Sequence, residues 1–411
     1  MAICEVCGRE HSCAIQHVVI REGAVNELGS LAGPYRHIVV AADRNTFAVG
    51  GEAVLQQLGD RVQNTLVYPD EGFLVPNEYA IERLQAVTDE QTDLIVGIGS
   101  GVIQDLCKYV SFLKGLPYFI VATAPSMDGY ASVGAALILG NMKITKNAHV
   151  PQAIIGDVDF LKTAPLDMIR AGYGDILGKF SCLNDWKLSR VANGEYFCQK
   201  IYDMIYDMLM KTRDLGPALQ ERQPEAIQTL MEALVGVGIA MAYVGNSRPA
   251  SGSEHHLSHF FEIVGILNNE PYFLHGIDVA CSAVITQRLR ERLLEMEPPF
   301  APKAFDEAAY EQEIHRIYGA AADGVFALQK KLGWRWEDRT ALYAEKWDEI
   351  RDVLREVPSS GQLQAYLESA GLSMEAFAAQ YGEEKLRTAV NYAMDLKDRY
   401  TVLWLYNALE A

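Results

Sequence analysis

The chain has no surplus of positive charge: Lys and Arg number 36 against 54 Asp and Glu, a net charge of −18. That balance matches poorly with a nucleic-acid backbone or an anionic membrane as main partner. A small anionic substrate stays open, because one site can be positive on a negative protein. No apolar run approaches the roughly 18 residues of a membrane span, and the start, MAICEVCGREHSC, has no apolar stretch of a secretory signal. The expectation is a cytoplasmic protein with no nucleic-acid or membrane partner. Cysteine is sparse. Seven lie at 4, 7, 13, 107, 182, 198 and 281, an odd and scattered set that suits reduced thiols and not a disulfide framework. Cys4, Cys7, His11 and Cys13 read C-x2-C-x3-H-x-C, the spacing of a small zinc knuckle. No second ligand pair follows at zinc-finger distance, which favours free thiols. Repeats, low-complexity tracts and flexible linkers are also missing. What is present is 411 residues, 49% of them apolar, enough for two domains with sizeable cores.

The first part alternates short apolar segments with helical patterns. HIVVAA (37–42), NTLVY (64–68), DLIVGIGSG (93–101), YFIVATAPS (118–126) and QAIIGD (152–157) read as strands, with helices such as FAVGGEAVLQQLG and NEYAIERLQAV between them. Strands separated by helices of about 10–15 residues imply βα units and a parallel sheet. GAALILGNMKIT (134–145) reads as a hairpin turning at Gly140-Asn141. Beyond about residue 165 the periodicity is helical to the end, and 227–245 is apolar nearly all round, as a buried helix would be. The expected fold is an α/β nucleotide-binding domain over 1–164, with a parallel sheet and a Gly-rich loop. An all-α domain carrying metal and substrate follows over 165–411.

GIGSGVIQDLCKY (97–109) leaves a strand through Gly97, Gly99 and Gly101 and opens a helix. Glycines let the backbone approach a phosphate, and the helix start offers unpaired N–H groups. The spacing is not G-x-G-x-x-G, so the dinucleotide fingerprint is absent. TAPSMDG (123–129) ends a second strand, and in open α/β sheets ligands sit at the carboxyl ends of strands. Asp43, just past the first strand, can accept from a ribose hydroxyl or cap the following helix.

SGSEHHLSHFFEIV (251–264) holds three of the nine histidines. On a helix capped by Ser251 or Ser253, His255 and His259 are i,i+4 and share a face, about 5–6 Å apart at Cβ. His256 points roughly 100° away. His275 opens HGIDVA, and AGYGDILGK sets Asp175 between glycines at a helix start. Two imidazoles and a carboxylate leave one coordination position open, the layout of a catalytic metal site. Lys179, i+4 from Asp175, pairs with it on this reading.

GIGSGVIQD, TAPSMDGYAS, MKI, APLDMIRAGYGDILGK, NDWKLS, RPASGSEHHLSHFFE and LHG together resemble the iron-containing alcohol dehydrogenase, glycerol dehydrogenase and dehydroquinate synthase superfamily over roughly residues 15–290. TAPSMDG with SGSEHHLSH is similar to its bacterial-type glycerol-1-phosphate dehydrogenase family. The resemblance implies a dehydroquinate synthase-like fold and the reversible NAD(P)H-linked reduction of dihydroxyacetone phosphate on one divalent metal ion. It implies metal ligation by Asp175, His255 and His275, and substrate contact by Asp175, His259 and Asp128, the last two in catalytic positions. Gly99, Ser100, Gly101 and Asp105 match the pyrophosphate loop, with Ser100 where the family often has a glycine. Thr123, Ser126 and Ser132 match cofactor contacts, and Asp43 a ribose contact. Two imidazoles and a carboxylate admit zinc, nickel or iron, and family habit points to zinc or nickel. Arg248, Lys143 and Lys146 are the candidate phosphate cations. A homodimer or larger homo-oligomer suits the family. The rival readings are a glycerol or other polyol dehydrogenase on the same scaffold, and a non-catalytic metal-binding protein using the amino-terminal cysteines.

Overall fold

The computed structural model describes residues 3–69, 74–140 and 142–409. Chain contacts divide it into two compact units. One comprises 1–4, 8–173 and 217–247, and the other 5–7, 174–216 and 248–411.

The first unit is built on six parallel strands: β1 (His17–Arg21), β2 (Ile38–Asp43), β3 (Val62–Tyr68), β4 (Leu94–Gly99), β5 (Tyr118–Ala122) and β8 (Ala153–Asp157). Their order is β1-β8-β5-β4-β2-β3, so β4 lies centrally between β2 and β5. β1 extends the five strands expected from sequence. Its HVVIR is short and only partly buried, which leaves little apolar periodicity to read. Central strands are apolar on both faces because both are covered. Ile38, Val40, Val96, Ile98 and Val121 pack with Val54 and Leu58 of helix α1 (Arg44–Leu58). Helix α2 (Glu78–Val87) follows β3, and helix α3 (Gly101–Lys114) follows β4. β6 (Gly134–Leu139) and β7 (Met142–Asn147) form the expected antiparallel hairpin. Gly140 takes φ 60° at its turn, and Asn141 lies outside the described residues.

Helix α4 (Leu166–Leu177) leads to helix α5 (Lys179–Asn193). Helix α6 (Pro224–Val244) packs on β1 and on the turn Asp128–Ala131. This 21-residue helix contains an 18-residue window of mean hydropathy 1.6, long and apolar enough to cross a membrane by length and composition. That corrects the expectation that no segment would qualify. Most of its apolar stretch is buried in the protein, Leu230, Leu234 and Val237 completely.

The second unit is helical, as the periodicity implies. Helix α7 (Ser253–Asn268) packs along helix α8 (His275–Leu294). Helices between Glu307 and Leu409 surround an apolar core containing Phe261, Tyr318, Trp347, Phe377 and Leu403.

Candidate functional site

In the first unit, Asp43 ends β2, Gly99 ends β4 and Thr123 directly follows β5. The order β2-β4-β5 sets these carboxyl ends side by side, and Thr123 N–H donates to the Gly99 carbonyl at 3.1 Å. Asp43 caps α1: Oδ1 accepts from Thr46 N–H at 2.9 Å, and the Thr46 hydroxyl accepts from Asp43 N–H at 3.1 Å. The loop glycines divide by role. A Cβ on Gly97 would meet Cys107 Sγ at 2.8 Å, and one on Gly99 would meet Ile103 Cβ at 2.6 Å. Both glycines therefore let α3 seat closely on the sheet. A Cβ on Gly101 would meet nothing nearer than 3.8 Å, so that position has room. Ser100 is the N-cap residue of α3.

Lys108 escaped the sequence reading. It is buried, lies 3.6 Å from Asp105, and donates to Ser132 Oγ at 3.3 Å and to the Gly129 and Gly134 carbonyls at 3.1 and 2.8 Å. Burial lowers its pKa, opposed by the charges of Asp105 and Asp128. It ties Asp105 and Ser132 to the turn that carries Asp128. Its one trace in the sequence is a lysine three residues after Asp105 on the apolar face of a helix.

In the second unit, Asp175, His255 and His275 offer three ligand atoms within 4.8 Å of one another. Asp175 lies in the last turn of α4, and not at a helix start as expected; the helix already begins at Leu166. Its glycines serve approach. A Cβ on Gly174 would stand 2.3 Å from the Gly276 carbonyl, so only glycine lets α4 come this near the start of α8. Gly174→Ala is expected to push Asp175 away from His275 and lower metal occupancy at least about tenfold, since a displacement near 1 Å can cost on the order of 100-fold in a positioned site. Metal analysis of the purified variant checks this.

α7 also begins differently. Gly252 is its N-cap, and neither Ser251 nor Ser253 caps it. Asp185 on α5 takes over, accepting from Ser253 N–H at 2.7 Å, and Glu254 Oε1 accepts from Gly252 N–H at 2.9 Å. The i,i+4 reading places His255 and His259 together, with ring centroids 5.9 Å apart. His259 stacks on His275 at 5.3 Å, while His255 and His275 are 5.0 Å apart. His259 is half-buried, and His255 is nearly enclosed.

Glu254 was also missed. Its Oε1 lies 2.6 Å from His255 Nδ1, which turns Nε2 toward Asp175 Oδ1 at 3.6 Å. A carboxylate behind a ligating imidazole fixes its tautomer and orientation. His275 Nδ1 lies 3.1 Å from Ser258 Oγ, which leaves Nε2 as its ligand atom. Burial, then the charges of Lys179 and His275, hold the His255 pKa well below the usual imidazole value, so the ring is neutral as a ligand must be. Burial raises the Asp175 pKa, but the Lys179 charge and then those of His255 and His275 bring it down to about 2. Lys179 lies 3.0 Å from Asp175, both fully buried, as expected for that pair. Two imidazoles and one carboxylate suit a divalent ion with an open position. Glu254→Gln is expected to weaken metal binding about 10–100-fold, read by chelator competition.

Of the candidate phosphate cations, Arg248 is committed elsewhere. Nε donates to both Glu195 oxygens at 2.9 and 3.0 Å, and Nη2 to the carbonyls of Asp185 and Tyr400 at 2.8 and 2.9 Å. Lys146 is exposed on β7, and the Lys143 side chain lies outside the described residues. No disulfide joins the cysteines among the described residues. Residues 3–10 fold back, Ile3 bridging to Glu10, and burial raises the Cys13 thiol pKa.

A family model described as "Iron-containing alcohol dehydrogenase" matches residues 19–165. The chain is 30% identical to a glycerol-1-phosphate dehydrogenase [NAD(P)+] of Geobacillus stearothermophilus, over 98% of this chain and 95% of that protein. It is 35% identical to one of Bacillus velezensis, over 70% of this chain and 76% of that protein. Among solved structures it is similar to an archaeal halo-thermophilic alcohol dehydrogenase from a Red Sea brine pool, with TM-score 0.64 and 14% identity, covering 97% of each chain.

Proposed function

The chain belongs to the glycerol-1-phosphate dehydrogenase family, and from that premise we propose how its residues divide the work. The reaction is dihydroxyacetone phosphate plus NAD(P)H plus a proton giving sn-glycerol 1-phosphate plus NAD(P)+, and it is reversible. The reading is carried by the convergence of Asp175, His255 and His275, with His259 stacked beside them.

Asp175, His255 and His275 would hold a divalent ion, zinc or nickel, and Asp175 would also face the substrate. That ion supplies Lewis-acid polarisation of the substrate carbonyl. A bound nicotinamide would supply the hydride. Gly99, Ser100, Gly101 and Asp105 receive the pyrophosphate, Asp105 through its tie to Lys108. Thr123, Ser126 and Ser132 contact the rest of the cofactor, and Asp43 the ribose. Asp128 orients the substrate beside the cofactor loop. His259 relays the proton to the carbonyl oxygen as it becomes a hydroxyl. Its partial exposure keeps a path to solvent protons. The nucleotide part is assigned to 1–164 and the metal and substrate part to 165–411. The expected setting is a cytoplasmic homo-oligomer.

The test compares substrates. Purified holoenzyme is offered dihydroxyacetone phosphate, dihydroxyacetone and, in reverse, glycerol. The proposal expects the phosphate ester to be used best. Turnover of glycerol with none of the phosphate ester would replace it with a polyol dehydrogenase on the same scaffold.

A further inference from the structure

His255 and His275 stand on different helices, α7 and α8, and residues 269–274, which join those helices, are neither helix nor strand. A metal centre needs its ligands held to well under 1 Å, so something must fix this connection. A helix far along the chain, α9 (Met374–Tyr392), lies against it. Gln380 Nε2 donates to the Pro271 carbonyl at 3.0 Å, and Lys385 Nζ donates to Glu270 Oε2 at 2.7 Å. The Tyr381 hydroxyl accepts from Phe273 N–H at 3.2 Å. α9 lies outside residues 15–290, over which the family resemblance was read.

The Gln380 and Lys385 contacts are exposed, and exposed polar pairs hold little. Tyr381 is buried. Its hydroxyl spans the start of α8. It accepts from Phe273, two residues before His275, and donates to Asp278 Oδ1 at 2.8 Å, three residues after. Asp278 is buried too, and its Oδ2 has no hydrogen-bond partner among the described residues, so the Tyr381 hydroxyl is what fixes that carboxyl. The Tyr381 ring stacks on Phe261 of α7, with centroids 4.0 Å apart and planes 13° from parallel, and Phe377 meets it edge-on at 5.0 Å. One side chain thus packs on the helix that carries His255 and hydrogen-bonds on both sides of His275. Each of those hydrogen bonds satisfies a group that would be costly to leave unpaired away from water.

The backbone next to Tyr381 is an independent observation. Gly382 interrupts α9 with φ 71° and ψ 160°, a conformation that belongs almost only to glycine. A regular helix would not contain it. Such departures gather where the chain must hold a side chain in place for a site, and this one falls directly after the residue that grips the start of α8.

We infer that Tyr381 is a positioning residue for the metal centre: it fixes the start of α8 against α7 and so sets His275 relative to His255. The inference rests on the metal-centre reading above. Its test titrates zinc into metal-stripped full-length enzyme against a chromophoric chelator, for wild type, Tyr381→Phe and Val325→Ala. Tyr381→Phe removes the hydroxyl and keeps the ring. Val325 is buried in the same core as Tyr381, on the helix Ala322–Leu332, and its truncation is the control for lost stability alone. Zinc binding by Tyr381→Phe is expected to weaken about tenfold, the lower end of what an outer partner of a ligand contributes. Excess zinc should then restore most of kcat for dihydroxyacetone phosphate, because mass action refills a weakened site. Val325→Ala should melt at a lower temperature and bind zinc as the wild type does. Zinc binding by Tyr381→Phe equal to that of wild type overturns the inference, and so does an equal weakening in Val325→Ala; either result leaves the metal centre standing. Wild type that binds neither zinc nor nickel would sink the metal centre and the inference with it.

Discussion

Asp175→Asn is expected to release the metal and to lower kcat/KM for dihydroxyacetone phosphate by about 10⁴-fold, the scale of several kcal/mol of charge stabilisation lost at the carbonyl. Asn keeps the shape of the carboxylate but not its charge, so the helix end that carries it should persist. Two consequences add. The donor set falls from one anion and two neutral nitrogens to three neutral groups. Lys179, fully buried and 3.0 Å from Asp175, loses its counter-ion and keeps the Ala250 carbonyl at 3.0 Å. A buried ammonium without its carboxylate is costly, so some loss of thermal stability should accompany the loss of metal. Metal content and steady-state kinetics on one preparation check both. Stoichiometric metal with activity within tenfold of wild type would remove Asp175 from the ligand set.

The second large effect is on stability. Asp185 is fully buried and accepts from Ser253 N–H, Val402 N–H and Arg290 Nη2, the last at 2.8 Å. Asp185→Ala leaves Arg290, itself fully buried, with the Asn184 side chain, Ser181 and no anion. Breaking a buried pair by removing one partner costs about 3–5 kcal/mol. At about 2–4 °C per kcal/mol for a unit of this size, thermal melting should fall by roughly 10 °C. The same substitution removes the one acceptor that joins Ser253 N–H at the start of α7 to Val402 N–H. A variant that melts with the wild type would show that other contacts hold Arg290 and Val402 in place.

Much of the architecture was legible because the periodicities are local. β2, β3, β4, β5 and β8 announce themselves as short apolar runs, and the change to helix beyond about 165 needs no long-range information. The i,i+4 pairing of His255 and His259 is helical geometry alone, and the ring contact follows from it. What stayed hidden depends on partners distant in sequence. Ser253 looks like a helix cap until Asp185, 68 residues away, takes its N–H. Arg248 looks like a free cation until Glu195, 53 residues away, claims it. Glu254 is hidden for the opposite reason. It adjoins His255 in sequence, where helical spacing would set it on another face, yet within the first turn of α7 its carboxylate reaches Nδ1. Asp175 shows a third cause: the glycines around it suggested a helix start, yet Gly174 sits inside α4, where close approach to Gly276 requires it.

The most direct test of the account follows dihydroxyacetone phosphate reduction by enzyme stripped with chelator and then restored separately with zinc, nickel and iron. NADH and NADPH are each supplied in turn, and the product is offered to an enzyme specific for glycerol 3-phosphate. The account predicts no turnover in the stripped protein, recovery with zinc or nickel, and a product the 3-phosphate enzyme ignores. Undiminished turnover without metal, or a product that enzyme consumes, would contradict it.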